Sequence, residues 1–424
     1  MLFKMIILIV SALFVTTMAE NSELQIVQSN GLFTNKLYNI LARKEGNVFF
    51  SPISAHAVLA MSYLGSAGST EKAYVSSLGL PSLAATADGY EKVTSKLNNV
   101  PNVTLLIANK VYVNKGSTLK ENFKNAVVNK FHSEVENVDF ASASKTAGVI
   151  NSWVEDKTRN KIKDIISPND LNADTRLVLV NAIYFKGNWQ NKFDKGATRT
   201  EPFYLNDKDT IDVQMMHINK KFNYKHDESL KAKVIELPYT NPEVSLVVIL
   251  PDEKDGIKDL EKKLEKFDLT KITEGTWNTE VELALPKFKI ETTIPLKDPL
   301  NEMGLGEIFD QSKANFSNLI EGQEPLYVSK VIQKAFIEVN EEGAEAAAAT
   351  GFTFKNKVIK QKEYFLADHP FVISLVHGGK NSKSVLFYGK ALEPHSADSF
   401  KAPVGLPIQE EKPDFLVVLS ENDN

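Results

Sequence analysis

Between residues 177 and 185 the chain reads Leu-Val-Leu-Val-Asn-Ala-Ile-Tyr-Phe, a run that is apolar on both parities apart from Asn181. Side chains of a strand alternate between two faces, so such a run belongs to a strand covered on both sides. Residues 244–250 form a second such run, stopped by Pro251-Asp252, and residues 281–285 alternate before Pro286. Residues 371–376 and 384–388 flank His377-Gly378-Gly379-Lys380-Asn381, which reads as a hairpin turn. Helical spacing comes earlier. It covers residues 24–42, residues 53–64 behind a Ser51-Pro52 start, and residues 147–166, where Ile150, Trp153, Val154, Ile162, Ile165 and Ile166 can share one face. Helices first and strands later, without strict alternation, argue against a doubly wound nucleotide-binding sheet and for a mixed α+β fold.

The 424 residues contain no cysteine, which excludes disulfide frameworks, zinc–thiolate sites and thiol nucleophiles. A core of this size needs none of them. The net charge is -5, and the only arginines are Arg43, Arg159, Arg176 and Arg199, so nothing favours nucleic acid as a partner. Residues 1–19 place Lys4 before an apolar run and end Thr17-Met18-Ala19, the pattern of a cleaved secretory signal. The run falls short of the ~20 residues that a spanning helix needs. The expectation is a secreted protein with no membrane contact. Asn102-Val103-Thr104 and Asn315-Phe316-Ser317 are glycosylation sequons on such a route. From residue 395 to 424 the composition turns to proline and acids, with one apolar patch at Phe415-Leu416-Val417-Val418-Leu419, and a disordered tail is expected there.

Motifs of catalysis are missing: there is no G-x-G-x-x-G, Walker loop, G-x-S-x-G or H-E-x-x-H. Gly65-Ser66-Ala67-Gly68-Ser69-Thr70 lacks the lysine of a phosphate loop and reads as a helix-ending turn. The seven histidines are scattered without metal-ligand spacing. An enzyme is therefore disfavoured, and no cofactor or metal is implied.

The most unusual stretch is Glu341-Glu342-Gly343-Ala344-Glu345-Ala346-Ala347-Ala348-Ala349-Thr350-Gly351. Propensity alone makes it a helix. Its flanks, Phe336-Ile337-Glu338-Val339 and Phe352-Thr353-Phe354 with Val358-Ile359, read instead as strand. In this segment the sequence resembles the hinge of the serpin family. Asn47-Val48-Phe49-Phe50-Ser51-Pro52-Ile53-Ser54 resembles the family's shutter segment, and residues 180–189, ending in Gly187-Asn188-Trp189, its central strand. Asp368-His369-Pro370-Phe371 and Leu386-Phe387-Tyr388-Gly389-Lys390 are similar to its closing strands. The motifs run in order from about residue 25 to 394, in the style of secreted insect serpins.

The resemblance implies a single domain over residues 20–394 with three sheets, about nine helices and a reactive-centre loop at about 341–367. It implies a monomeric inhibitor of serine proteases, cleaved in that loop and trapping its target covalently as the loop's first part inserts into the main sheet. The hinge residues permit this. Ala344, Ala346, Ala348 and Thr350 share the inward parity and are small, while Glu345 falls on the outward one. No proline interrupts the ladder, and Gly343 offers a pivot. Counting as the family does places the scissile bond between Lys357 and Val358, which implies trypsin-like targets. Lys355 and Lys360 stay as alternatives, and Phe354 as one for chymotrypsin-like targets. Ser51, Ser54 and Asn181 match shutter residues. Gln333 stands where most serpins have histidine, which makes a pH-sensitive shutter doubtful. Trp189, with Glu341 and Lys287 as an ion pair, matches the breach where insertion begins. No basic stripe occupies residues 85–99, so heparin activation is not supported. A non-inhibitory carrier, storage or chaperone serpin is the main rival, and a secreted hydrolase of unrelated fold the second.

Overall fold

The apolar run at residue 177 becomes the middle strand of a five-stranded sheet. The computed structural model describes residues 2–322, 324–342, 362–379 and 383–394, with the side chains of residues 2–21 left aside. The α-helices are α1 (Leu2–Leu41), α2 (Pro52–Leu64), α3 (Gly68–Leu78), α4 (Leu83–Asn98), α5 (Glu121–Phe131), α6 (Ala143–Lys157), α7 (Ile257–Leu264) and α8 (Lys297–Leu300). The strands are β1 (Val48–Phe50), β2 (Val103–Asn114), β3 (Glu134–Val138), β4 (Leu177–Gly187), β5 (Arg199–Tyr204), β6 (Thr210–Asp227) and β7 (Ala232–Pro238). They continue as β8 (Val244–Pro251), β9 (Trp277–Pro286), β10 (Phe288–Pro295), β11 (Val328–Val339), β12 (Glu363–Leu366), β13 (Phe371–His377) and β14 (Ser384–Ala391).

The five-stranded sheet has the order β10-β11-β4-β2-β3. Its two faces are both covered, as the composition of β4 requires. Leu177, Leu179, Ile183 and Phe185 enter the main core, and Val178, Val180, Ala182 and Tyr184 enter a second cluster under α6. The main core continues into a nine-stranded sheet, which carries the hairpin expected at residues 371–388.

Three sheets were expected, and the described strands form two. The reason is β6, whose Thr210–Asp227 course pairs β5 and β9 along its first part and β7 at residues 223–227, joining both sets of strands. Eight α-helices, rather than about nine, occur among the described residues. The helix expected over residues 147–166 ends at Lys157. Thr158 Oγ1 donates to Val154 O at 2.7 Å and accepts from Ile162 N at 3.1 Å, while Arg159 and Asn160 take left-handed φ values of 50° and 59°. Ile162, Ile165 and Ile166 stay in the second cluster beside Ile150 and Val154, so the burial pattern outlasts the helix.

Among the described residues no helix is long and apolar enough to cross a membrane. Gly389 shows how tightly the layers close. A Cβ there would stand 2.0 Å from Val48 O, on the neighbouring strand β1. The expected outcome for Gly389→Ala is a loss of about 3 kcal/mol or more, because backbone must move to admit the methyl group. Urea denaturation of the purified variant measures it.

Candidate functional site

A polar row crosses the core face of the five-stranded sheet. Asn109 of β2 pairs with Asn181 of β4, and Asn181 pairs with Gln333 of β11. All three side chains are buried. Below them lies the start of α2, which Ser51 caps with extended backbone while Pro52 takes the first helical position. Ser54 Oγ donates to Asn109 Oδ1 at 3.1 Å, and the Asn181 amide nitrogen donates to both of those oxygens. Gln333 Nε2 donates to Asn181 Oδ1 and to Ser51 O at 2.8 Å, and Gln333 Oε1 accepts from Ser51 N at 2.9 Å. Ser51 Oγ donates to Leu386 O of β14 at 2.6 Å. Every expected shutter residue is therefore brought together. Asn109 completes the row and was missed by the sequence reading, since the resemblance marked Asn181 alone and Asn109 stands beside Lys110 in a strand with several polar residues.

The row spans the joint between β4 and β11. These strands pair directly and in parallel, from Leu177 beside Val328 to Phe185 beside Ile337, with no strand between them. On the opposite face, residues 158–171 continue from α6 across the same strands. Lys334 Nζ of β11 donates to Lys163 O at 2.7 Å, and Lys330 pairs with Asp170.

A second cluster holds the far end of that joint. Trp189 stacks on Tyr239, with centroids 4.3 Å apart and planes at 14°, and its Nε1 donates to Asn340 O at 2.7 Å. Backbone amides of Phe193 and Trp189 donate to Glu341 O and Glu342 O at 3.0 and 3.4 Å. Glu341 is 5% exposed. Its carboxylate meets Lys287 Nζ at 3.1 Å and accepts from Thr198 Oγ1 at 3.0 Å. Burial pushes this carboxyl up, but its own backbone amide, Lys287 and Thr198 outweigh burial and hold it below its ordinary value. Hydrogen bonding to Lys195 likewise lowers Glu342. The Glu341–Lys287 pair stands where the resemblance put it, whereas Tyr239 and Lys195 gave no signal in the sequence.

Glu342 is the last described residue before the gap. Gly343, Ala344, Glu345, Ala346, Ala347, Ala348, Ala349 and Thr350 lie outside the described residues, as do Lys357, Val358 and the alternatives Phe354, Lys355 and Lys360. The chain returns at Lys362 and enters β12, which pairs in parallel with β9. Asn102 and Asn315 are both exposed. No group of three or more His, Asp or Glu among the described residues could hold a metal ion.

Comparison with known proteins places this geometry. The profile of the serpins, "Serpin (serine protease inhibitor)", matches residues 28–394. The chain belongs to the serpin family. It is 42% identical over 359 residues to antichymotrypsin-2 of Bombyx mori, covering 82% of this chain and 94% of that one. It is 41% identical over 373 residues to antitrypsin of Bombyx mori, covering 85% and 94%. The crystal structure of Serpin48 from Tenebrio molitor superposes with a TM-score of 0.79 at 32% identity, over 88% of this serpin and 98% of that chain.

Two outcomes follow from the site. Asn181→Leu leaves the amides of Asn109 and Gln333 buried without their central partner, so the thermal midpoint should fall with a loss of about 2–4 kcal/mol. Glu341 is the buried pH-dependent part of the far clamp, beside the more exposed Glu342. Its folded-state value is lowered, so its contribution is complete above its unfolded value near 4.5 and is lost as pH falls through the lower folded value. Glu341→Gln should therefore flatten the stability profile below about pH 4.5, measured by urea midpoints across that range.

Proposed function

We propose that this serpin is a secreted suicide-substrate inhibitor of trypsin-like serine proteases. The observation that carries the reading is the joint between β4 and β11, which closes directly while the sequence that follows β11 has small residues at the inward-parity positions Ala344, Ala346, Ala348 and Thr350. A strand that turned back after Glu342 would run antiparallel to both β4 and β11 and could take a ladder from each. If insertion makes roughly ten net bonds at ~1 kcal/mol each, the drive is on the order of 10 kcal/mol.

The protease serine attacks the Lys357 carbonyl, Val358 leaves as a new amino terminus, and Lys357 stays as the acyl ester. Insertion of residues 343–357 then carries the acylated protease away before water can release it. Ser51, Ser54, Asn109, Asn181 and Gln333 act where the sheet must open, and Trp189, Glu341 and Lys287 where insertion starts. Specificity rests on Lys357 rather than on overall likeness, since antichymotrypsin-2 and antitrypsin are almost equally similar to this chain. The protein acts as a monomer without cofactor. Residues 1–19 are removed on secretion, so amino-terminal sequencing of medium from expressing cells should begin at Glu20.

Incubation with trypsin should give an SDS-stable complex and release a fragment starting at Val358. Lys357→Glu should abolish the complex without altering the fold. Ala346→Arg puts a guanidinium on the inward parity and should turn inhibitor into substrate, whereas Ala347→Arg should stay inhibitory. Equal inhibition by the two arginine variants, with no gain in melting temperature on cleavage, would overturn the insertion mechanism and favour a non-inhibitory serpin.

A further inference from the structure

Four helices meet on one imidazole. His56 lies two residues beyond Ser54 on α2 and is completely buried. Its Nε2 is 2.9 Å from Ser29 Oγ of α1, its Nδ1 is hydrogen-bonded to the Tyr90 hydroxyl of α4, and the Phe33 ring of α1 packs at 5.2 Å between centroids. Ser29 Oγ in turn donates to Leu78 O, at the end of α3, at 2.8 Å. A hydroxyl has a single hydrogen, so toward His56 the serine can only accept. Nε2 therefore carries the ring proton, Nδ1 presents a lone pair, and Tyr90 donates to it. Tyr90 is also fully buried, and among the described residues its hydroxyl makes no other hydrogen bond.

A proton added at Nδ1 would face the Tyr90 hydrogen, donor against donor. Tyr90, stacked on the Phe131 ring with centroids 4.9 Å apart, would have to turn its hydrogen away from the one hydrogen-bond partner its hydroxyl has among the described residues. The groups facing His56 are Ser29 and Phe33 from α1, the Leu78 carbonyl from α3 and Tyr90 from α4. Tyr90 is the titratable one, and burial holds its ionisation far above the accessible range. No ion pair to a carboxylate is formed by His56 that could stabilise an imidazolium.

We propose that His56 is an acid-release latch: uptake of a solvent proton at Nδ1 breaks the α1–α2–α3–α4 junction and frees the helix that carries Ser51 and Ser54 beneath the sheet. Burial pushes the folded-state value of His56 down to about 4, against an opposing pull from the Leu78 carbonyl, from an ordinary value of 6.5. The sign follows. The neutral ring's contribution is complete above pH 6.5 and is lost as pH falls toward about 4, with the opening equilibrium rising up to about tenfold per pH unit. That window lies above the one in which Glu341 acts. His377, also lowered by burial, acts in the same direction and remains unchanged in the comparison below.

The test uses the mature full-length protein and His56→Gln, whose amide can donate to Ser29 and accept from Tyr90 but does not titrate. Between pH 6.5 and 5, the unfolding equilibrium of the wild type in urea should grow about 15-fold more than that of the variant. Equal growth overturns the latch. Nitrogen-resolved NMR of the wild-type histidines stands independently if the variant does not fold. One ring should hold the Nε2–H form and stay neutral at pH 5. A folded protein in which every histidine is protonated at pH 5, or in which the buried ring is Nδ1–H, also overturns it. Trypsin-inhibiting capacity after incubation at pH 5 should fall faster in the wild type than in the variant, and equal loss counts against the latch. This last readout alone rests on the proposed function. A wild type that never inhibits at pH 7 would sink that reading and leave the unfolding and NMR comparisons to judge His56.

Discussion

The structure depends on a polar seam placed inside an apolar sheet. From Leu177 to Phe185 β4 is apolar on both faces except at Asn181, and the seam of Asn109, Asn181 and Gln333 fixes its neighbours in register. A slip of one residue would carry Asn181 to the face packed by α6, among Val178, Val180 and Tyr184, where no partner waits. Side-chain amides suit this place because each both donates and accepts, so the row is satisfied without charge. The arrangement also makes closure conditional. Separating β4 from β11 leaves Asn181 and Gln333 buried and unmatched until something else fills the joint, which gives the sheet two sound states and a poor middle one.

Much of this was legible in the residues, and the exceptions have physical causes. β4, β8, the β13–β14 hairpin and the capped start of α2 followed from apolar runs and a Ser-Pro step. The overextended helix at residues 147–166 did not. Its last isoleucines keep the buried face after the backbone has turned through Arg159 and Asn160, and periodicity registers burial rather than backbone conformation. The union of two strand groups through β6 is invisible because one long strand and two short ones look alike as a pattern. Asn109 was overlooked in a strand that also holds Thr104, Lys110 and Tyr112, where one more polar residue draws no notice. The pairing of Glu341 with Lys287 came from family resemblance alone, since 54 acidic residues leave a partner undetermined by sequence.

The seam and the helices under it divide their chemistry. Gln333, which the resemblance sets where most serpins have histidine, completes a row with no titratable member. An imidazole sits instead on α2, two residues beyond Ser54, with both nitrogens occupied by neutral hydroxyls. Sensitivity to protons is thereby moved from the joint to its foundation. The far clamp is ionic, through Glu341 with Lys287 and Glu342 with Lys195, and responds in a more acidic range.

The clamp at Trp189 and Phe193 grips three successive backbone carbonyls, those of Asn340, Glu341 and Glu342, at 2.7, 3.0 and 3.4 Å. Its grip on the backbone ignores the identity of the side chains, and it loosens toward the loop. Tension arriving from the loop side meets these bonds in series, the longest first. The segment therefore comes away by peeling, one bond at a time, at a far smaller force than shearing the parallel β4–β11 ladder as a unit would take. The molecule resists a pull along its sheet and yields to one at its corner.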